Sequence, residues 1–170
     1  GTGESTGFEI FLQKTEGDVT GWISYAYAVS NRYFEDLNNG NPFPAKNDRR
    51  HNISVIGIFK ITEKLDLSVS WIYMTGARFT SIVGQYVMPN PAQTGYEIIP
   101  IYSDRNSIEM SENKRLDVNL TYKPHIGKNR KFKTEWQFGV YNVFNEAAPY
   151  RIDLVYDERG FYEYQQPGLF

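Results

Sequence analysis

The sequence has no cysteine and only two histidines, His51 and His125. Without cysteine there is no thiol catalysis, no disulfide framework and no zinc site built on thiolates. The 18 Lys and Arg are matched by 20 Asp and Glu. This balance argues against nucleic acid as the main partner, because phosphate binding needs a basic surface.

Long apolar runs are also missing. No stretch approaches the roughly 20 apolar residues that a transmembrane helix needs. Transmembrane β-strands, however, alternate apolar with polar residues and so dilute their apolar signal. Aromatic residues make up 16% of the chain and include 13 Tyr. The average hydropathy therefore does not exclude a membrane protein built from strands.

Recognisable catalytic patterns are absent as well. No pair of carboxylates is placed for acid–base work, and nothing resembles a Ser/His/Asp arrangement or a phosphate-binding glycine loop. The sequence thus predicts neither an enzyme nor a cofactor site.

Alternation of apolar and polar residues predicts an all-β, antiparallel fold with six long strands. The first strand is centred on residues 8–12, and a small hairpin, 151–156 against 161–164, follows the sixth strand. Strands two to six are predicted over residues 19–30, 52–61, 65–74, 116–123 and 132–141.

The two faces of these strands differ in kind. One face carries no charge, so we expect it to contact an apolar phase such as lipid. The expected lipid-facing belt consists of Ile23, Tyr25, Val55, Phe59, Val69, Trp71, Val118, Leu120, Trp136 and Phe138. The charges of the opposite face are Lys60, Asp66, Asp117, Lys123, Lys133 and Glu135.

The connections alternate between short and long. Short turns join strands one and two, three and four, and five and six, whereas residues 32–50 and 76–113 form long loops. Short turns on one rim and long extracellular loops on the other are typical of outer-membrane barrels. Six strands are fewer than the roughly eight that close the smallest bacterial barrel. We therefore expect a segment of a larger transmembrane β-barrel.

Four segments resemble TonB-dependent outer-membrane receptors of the Bacteroidota type. They are residues 21–27 (GWISYAY), 39–51 (NGNPFPAKNDRRH), 115–118 (RLDV) and 141–145 (YNVFN). The resemblance implies a barrel of about 22 strands that encloses a plug. Residues 1–170 would be the C-terminal portion of that barrel, with the final strand, the plug and the TonB-contacting segment missing.

The resemblance also implies a function and a location. Such receptors lie in the outer membrane of Gram-negative bacteria, with their long loops extracellular, and import a glycan, a peptide or a chelated metal with energy supplied through TonB. The implied partners are outer-membrane lipid and lipopolysaccharide, TonB through the missing N-terminal part, the nutrient and the barrel-assembly machinery. A surface lipoprotein covers the barrel in the glycan-importing branch.

Aromatic residues in the long loops are the candidate ligand contacts, although they could equally pack the loops onto each other. These candidates are Tyr33, Phe34, Phe43, Phe79, Tyr86, Tyr96 and Tyr102. The cluster Asp48-Arg49-Arg50-His51 could bind a ligand or lipopolysaccharide, or could anchor the strand at a polar rim. His51 fits a structural role better than metal ligation. The charges of the polar face either line a substrate path or form a solvated network against the plug.

Two alternatives remain open. A soluble β-sandwich with ligand-binding loops would show the same alternation, because its strands also have one buried face. A barrel without TonB coupling is the other. A sandwich would bury Ile23, Val55, Val69, Val118 and Phe138 against a second sheet, whereas a membrane barrel would leave them uncovered by protein.

Overall fold

A computed structural model describes residues 1–89, 95–124, 133–147, 149–157 and 160–167. Regular structure in these ranges is β-strand, apart from one 3-10 turn at Asn38–Gly40. No helix in the described ranges is long and apolar enough to cross a membrane. The strands are β1 (Thr2–Lys14), β2 (Val19–Tyr33), β3 (Phe43–Pro44), β4 (His51–Thr62), β5 (Leu65–Met74), β6 (Arg78–Phe79), β7 (Ile82–Pro89), β8 (Tyr96–Tyr102), β9 (Ile108–Glu109), β10 (Asn113–Tyr122), β11 (Trp136–Val140), β12 (Pro149–Asp157) and β13 (Gly160–Pro167).

One large antiparallel sheet dominates the fold. Its strand order is β1-β2-β4-β5-β10-β11, and β3 pairs with the end of β2. All six long strands predicted from the alternation are present, and each pairs with its neighbour along the chain. The all-β antiparallel prediction is confirmed. The sheet is open, with β1 and β11 at its edges, and does not close into a barrel.

β4 and β5 match the predicted bounds to within one residue, whereas β2 and β10 each extend three residues into the predicted long loops, to Tyr33 and from Asn113. The sixth strand is shorter than predicted. The prediction began that strand at residue 132, which lies outside the described residues, whereas β11 starts at Trp136. This difference has a physical cause in the pairing. β11 pairs only with β10, whose last paired residue, Tyr122, lies opposite Trp136. Residues 133–135 therefore have no ladder partner.

β2 and β4 approach each other closely at Gly21, which lies opposite Gly57 in the pairing. Gly21 has a φ of 150°, and a Cβ added there would overlap the carbonyl oxygen of Ile56. Only glycine combines this φ with so close a backbone approach. The sheet therefore requires glycine at position 21.

The second long connection contains strands that the alternation did not predict. β6 pairs with β9, and β7 pairs with β8 as a hairpin. The predicted small hairpin near the C-terminus is present as β12 paired with β13. It contacts the β7–β8 hairpin, where the Phe161 N–H donates to Gln85 Oε1 at 3.2 Å.

Burial is concentrated beside the sheet rather than within it. Among the described residues no large side chain is fully buried, and the most buried apolar ones, Phe43, Ala45 and Ala77, belong to the long loops. Both faces of the main sheet stay open to solvent in the isolated chain. The packed core is therefore the junction of the long loops at one end of the sheet.

Candidate functional site

The two long loops pack against each other at the end of the sheet that they share. The N–H of Arg78 donates to the Lys46 carbonyl at 2.9 Å, and Asn106 Nδ2 donates to the Pro44 carbonyl at 2.9 Å. The N–H of Arg105 donates to Asn38 Oδ1 at 3.1 Å. Because backbone groups take part in every one of these contacts, the two loops hold each other in place and form one continuous surface.

Asp48 is the buried charge at this junction, with only 2% of its surface exposed. Its Oδ1 accepts a hydrogen bond from the Ser30 N–H at 2.8 Å. Its Oδ2 lies 3.4 Å from Arg50 Nε and 3.9 Å from Arg78 Nε. Arg78 also pairs with Glu109 at 2.9 Å, so one guanidinium connects both loops.

This geometry separates the members of the predicted 48–51 cluster. Asp48 faces inward and fastens the loops, and the partly exposed Arg50 pairs with it, which favours the anchoring interpretation of the cluster. His51 Nδ1 lies 2.9 Å from the Tyr25 hydroxyl, within hydrogen-bond distance. No group of three or more His, Cys, Asp or Glu residues in the described ranges could hold a metal ion.

A cleft of about 390 Å³ opens where the loops meet the polar face of the sheet. Two of the predicted loop aromatics line it: Phe34 and Phe43 stack with their ring centroids 6.2 Å apart. The Arg105 guanidinium lies over the Phe43 ring, 5.6 Å from its centroid. Arg32 and Lys46 also line the cleft, and no carboxylate is among its lining residues.

The other predicted loop aromatics lie elsewhere. Tyr33 ends β2 and Phe79 lies in β6, so neither is an irregular loop residue. The remaining three, Tyr86, Tyr96 and Tyr102, are exposed on the β7–β8 hairpin. The register puts Tyr86 on one face of the hairpin and Tyr96 and Tyr102 on the other. The structure therefore brings together only Phe34 and Phe43.

A second cleft, of about 320 Å³, adjoins the first and shares Ser30, Arg32 and Phe34 with it. Its wall carries Glu4 from β1. The first cleft is thus the more cationic of the two.

Most of the large apolar residues of the main sheet lie on one face, although Trp22, Ile56, Ile58 and Ile72 lie on the opposite one. Cross-strand pairing puts Ile23, Val55, Trp71 and Leu116 in one row. A parallel row contains Phe59, Leu67, Leu120 and Phe138. By the same register all ten residues of the predicted belt lie on this face, and their contact with lipid stays a prediction.

An aromatic cluster ends this apolar face near the long loops. Phe8 lies 5.8 Å from Tyr25 and 5.7 Å from Tyr27, measured between ring centroids. His51 lies 5.3 Å from Tyr27 and stacks on Tyr25 at 6.1 Å. Aromatic and polar groups grouped at one height on an apolar surface are typical of a membrane–water interface.

The opposite face carries paired charges. Arg115 Nε lies 3.1 Å from Asp117 Oδ2, and Lys123 Nζ donates to Asp66 Oδ2 at 2.8 Å. Arg115 also donates to the Tyr141 hydroxyl at 2.6 Å. A groove of about 420 Å³ follows this face, and its lining includes Ile56 and Ile58 as well as Ser68, Ser70 and Asn119. These pairs favour a charge network over isolated charges placed to guide a substrate.

Three functional candidates were missed from the sequence alone: Arg32, Arg78 and Arg105. Each is a single arginine near the end of a strand or within a long loop, and nothing in the local pattern distinguishes it. Their roles depend on contacts between loops far apart in the chain.

No protein-family model matches the chain, and no curated protein or solved structure matches it at a significant level.

Proposed function

We propose that the chain forms part of the wall of an outer-membrane receptor that imports a nutrient with energy supplied through TonB. The open sheet is one section of a larger barrel, the uncharged face contacts lipid and the long loops meet the ligand outside the cell. Lipopolysaccharide surrounds the extracellular rim, and the barrel-assembly machinery inserts the strands.

The uncovered apolar face carries this proposal. Ile23 keeps 48% of its surface exposed and Phe138 keeps 62%, although both lie among apolar neighbours. Soluble monomers rarely expose contiguous apolar patches beyond a few hundred Å². A hydrocarbon environment removes the cost of such exposure, and closure through further strands would remove the open edges at β1 and β11.

The ends of the sheet supply a second argument. The connection from β2 to β4 and the one from β5 to β10 both lie at the end where β2 and β5 finish. The tight turns from β1 to β2 and from β4 to β5 lie at the opposite end. This segregation is typical of outer-membrane barrels, in which short turns are periplasmic.

The soluble sandwich receives no comparable support. It requires a second sheet across the apolar face, and no strand of the described ranges covers that face. The plug and the TonB coupling rest on the family resemblance, so a barrel without TonB coupling remains the competing proposal.

Cysteine labelling tests the membrane topology directly, because the chain has no native cysteine. Asp36 and Glu63 are both exposed acidic residues, the first in a long loop and the second in a short turn. On intact cells, a membrane-impermeant maleimide should label Asp36→Cys and should label Glu63→Cys only after the outer membrane is permeabilised. Equal labelling of the two variants, or recovery of the protein in the soluble fraction, contradicts the proposal.

TonB coupling needs a separate test. Solutes in the growth medium are followed by mass spectrometry for cells that contain the receptor, cells that lack it and cells that lack TonB. Removal of a solute that requires both proteins supports active import. Removal that requires the receptor but not TonB supports the passive barrel instead.

A further inference from the structure

We infer that the cleft between the long loops binds a small organic anion with two or more carboxylate or phosphate groups. This inference names the substrate class of the proposed receptor, so its role in import rests on the proposed function. The binding site itself depends only on the geometry of the cleft.

The charge of the cleft has one sign. Arg32, Lys46 and Arg105 line it, and its lining residues include no Asp or Glu. None of these three cations forms an ion pair with a described residue. Unpaired cations around a concave space bind anionic groups through charge-assisted hydrogen bonds.

Arg105 is held in position before any ligand binds. Its guanidinium lies over the ring of Phe43, which is 4% exposed and stacks on Phe34. The backbone N–H of Arg105 donates to Asn38 Oδ1, and the side-chain amide of the next residue, Asn106, donates to the Pro44 carbonyl. A cation–π contact and an anchored backbone lower the conformational entropy that binding would otherwise cost.

The position of the cleft distinguishes a soluble anion from a lipid headgroup. Arg32 lies on the polar face of β2, and Phe43 pairs with it across the strands. The cleft therefore opens on the polar side of the sheet, whereas lipid phosphates would lie beside the apolar face. Its volume of about 390 Å³ is in the range of small-molecule sites.

Calorimetry on the purified full-length receptor tests the inference. The probe is benzene-1,3,5-tricarboxylate, and 1,3,5-tris(hydroxymethyl)benzene is its uncharged counterpart. We expect the tricarboxylate to bind, the triol not to bind and added salt to weaken the binding. Lys46→Gln should weaken it about ten-fold, because one charge-assisted contact is lost.

Lys64→Gln is the matched control. Lys64 is an exposed lysine in the turn between β4 and β5, so its replacement should leave binding unchanged. Lys46 is exposed as well, and neither substitution removes a packed side chain. Equal binding of the triol, no binding of the tricarboxylate, or equal effects of the two substitutions would overturn the inference. Charge-dependent binding in a receptor that lacks TonB-dependent uptake would support the cleft and contradict the transport proposal.

Discussion

The carboxylate of Asp48 accepts a hydrogen bond from the backbone N–H of Ser30 at 2.8 Å. This contact fastens the first long loop to the end of β2. The second oxygen of the same carboxylate faces Arg50 and Arg78, and Arg78 continues to Glu109 in the second loop. One buried charge thus holds three segments together beside the cleft.

Removing this charge should loosen the loop junction. We expect Asp48→Ala to lower the free energy of unfolding by about 2 to 4 kcal/mol, since the Ser30 donor and part of the Arg78 charge would lose their partner. Asp48→Asn keeps an acceptor for Ser30 and should cost less. Denaturant unfolding of the lipid-reconstituted protein measures both. The exposed loop residue Asp36 is the control, and an Asp36→Ala variant as unstable as Asp48→Ala would contradict the assignment.

Adjacent residues of β5 test which face contacts lipid. The register pairs Val69 with Val118 on the apolar face and pairs Ser70 with Asp117 on the polar face. Val69→Arg should destabilise the membrane-inserted protein by about 2 to 4 kcal/mol, as for a cation at mid-depth on a lipid-facing strand. Ser70→Arg should cost clearly less, because its side chain reaches the groove. Equal losses in unfolding experiments from lipid would contradict the assigned faces.

The close approach of β2 and β4 at Gly21 predicts that alanine destabilises the protein more at this position than at other strand glycines. Gly21→Ala should lower the free energy of unfolding by about 2 kcal/mol or more, because the new Cβ overlaps the Ile56 carbonyl at an unfavourable φ. At Gly3 in β1 an added Cβ meets its nearest atom at 3.7 Å, an ordinary contact. Gly3→Ala should therefore cost less than about 1 kcal/mol. Similar unfolding curves for the two variants would contradict the close backbone approach at Gly21.

Lys123, just beyond the end of β10, should make stability depend on pH in the alkaline range. Its hydrogen bond and charge interaction with Asp66 raise the pKa of its ammonium above the usual 10.5, and Glu135 adds to the effect. A raised pKa in the folded state means that the contribution is complete below pH 10.5 and is lost as the pH rises through the folded value. The free energy of unfolding should be measured at one pH below 10.5 and at one pH above it. It should fall more between these two points for the wild type than for Asp66→Asn. Parallel losses measured by denaturant unfolding would show that the pair contributes nothing.

The sheet could be predicted from the sequence because its signal is local. Alternation along a strand assigns each residue to a face, and short turns such as residues 15–18 bring neighbouring strands into antiparallel pairs. The observed register puts Ile23 beside Val55 and Val69 beside Val118, as that alternation requires. The predicted start of the sixth strand was wrong, because that start depends on where its partner β10 stops.

The loop junction could not be predicted because its contacts are not local. β6 and β9 are two-residue strands, too short for a periodic pattern. Pro89 ends β7 and Pro100 lies within β8, and because proline is uncommon inside strands the two hide that hairpin from a pattern search. The pairing of Arg78 with Asp48 and the position of Arg105 over Phe43 follow only when both long loops have folded.

A structure of the protein in the native particle from which it is isolated tests the central claim most directly. The account predicts that β1 and β11 each pair with a further barrel strand and that lipid covers the face containing Val69 and Val118. If a second protein sheet covers that face instead, the membrane assignment is wrong and the chain is a soluble binding module.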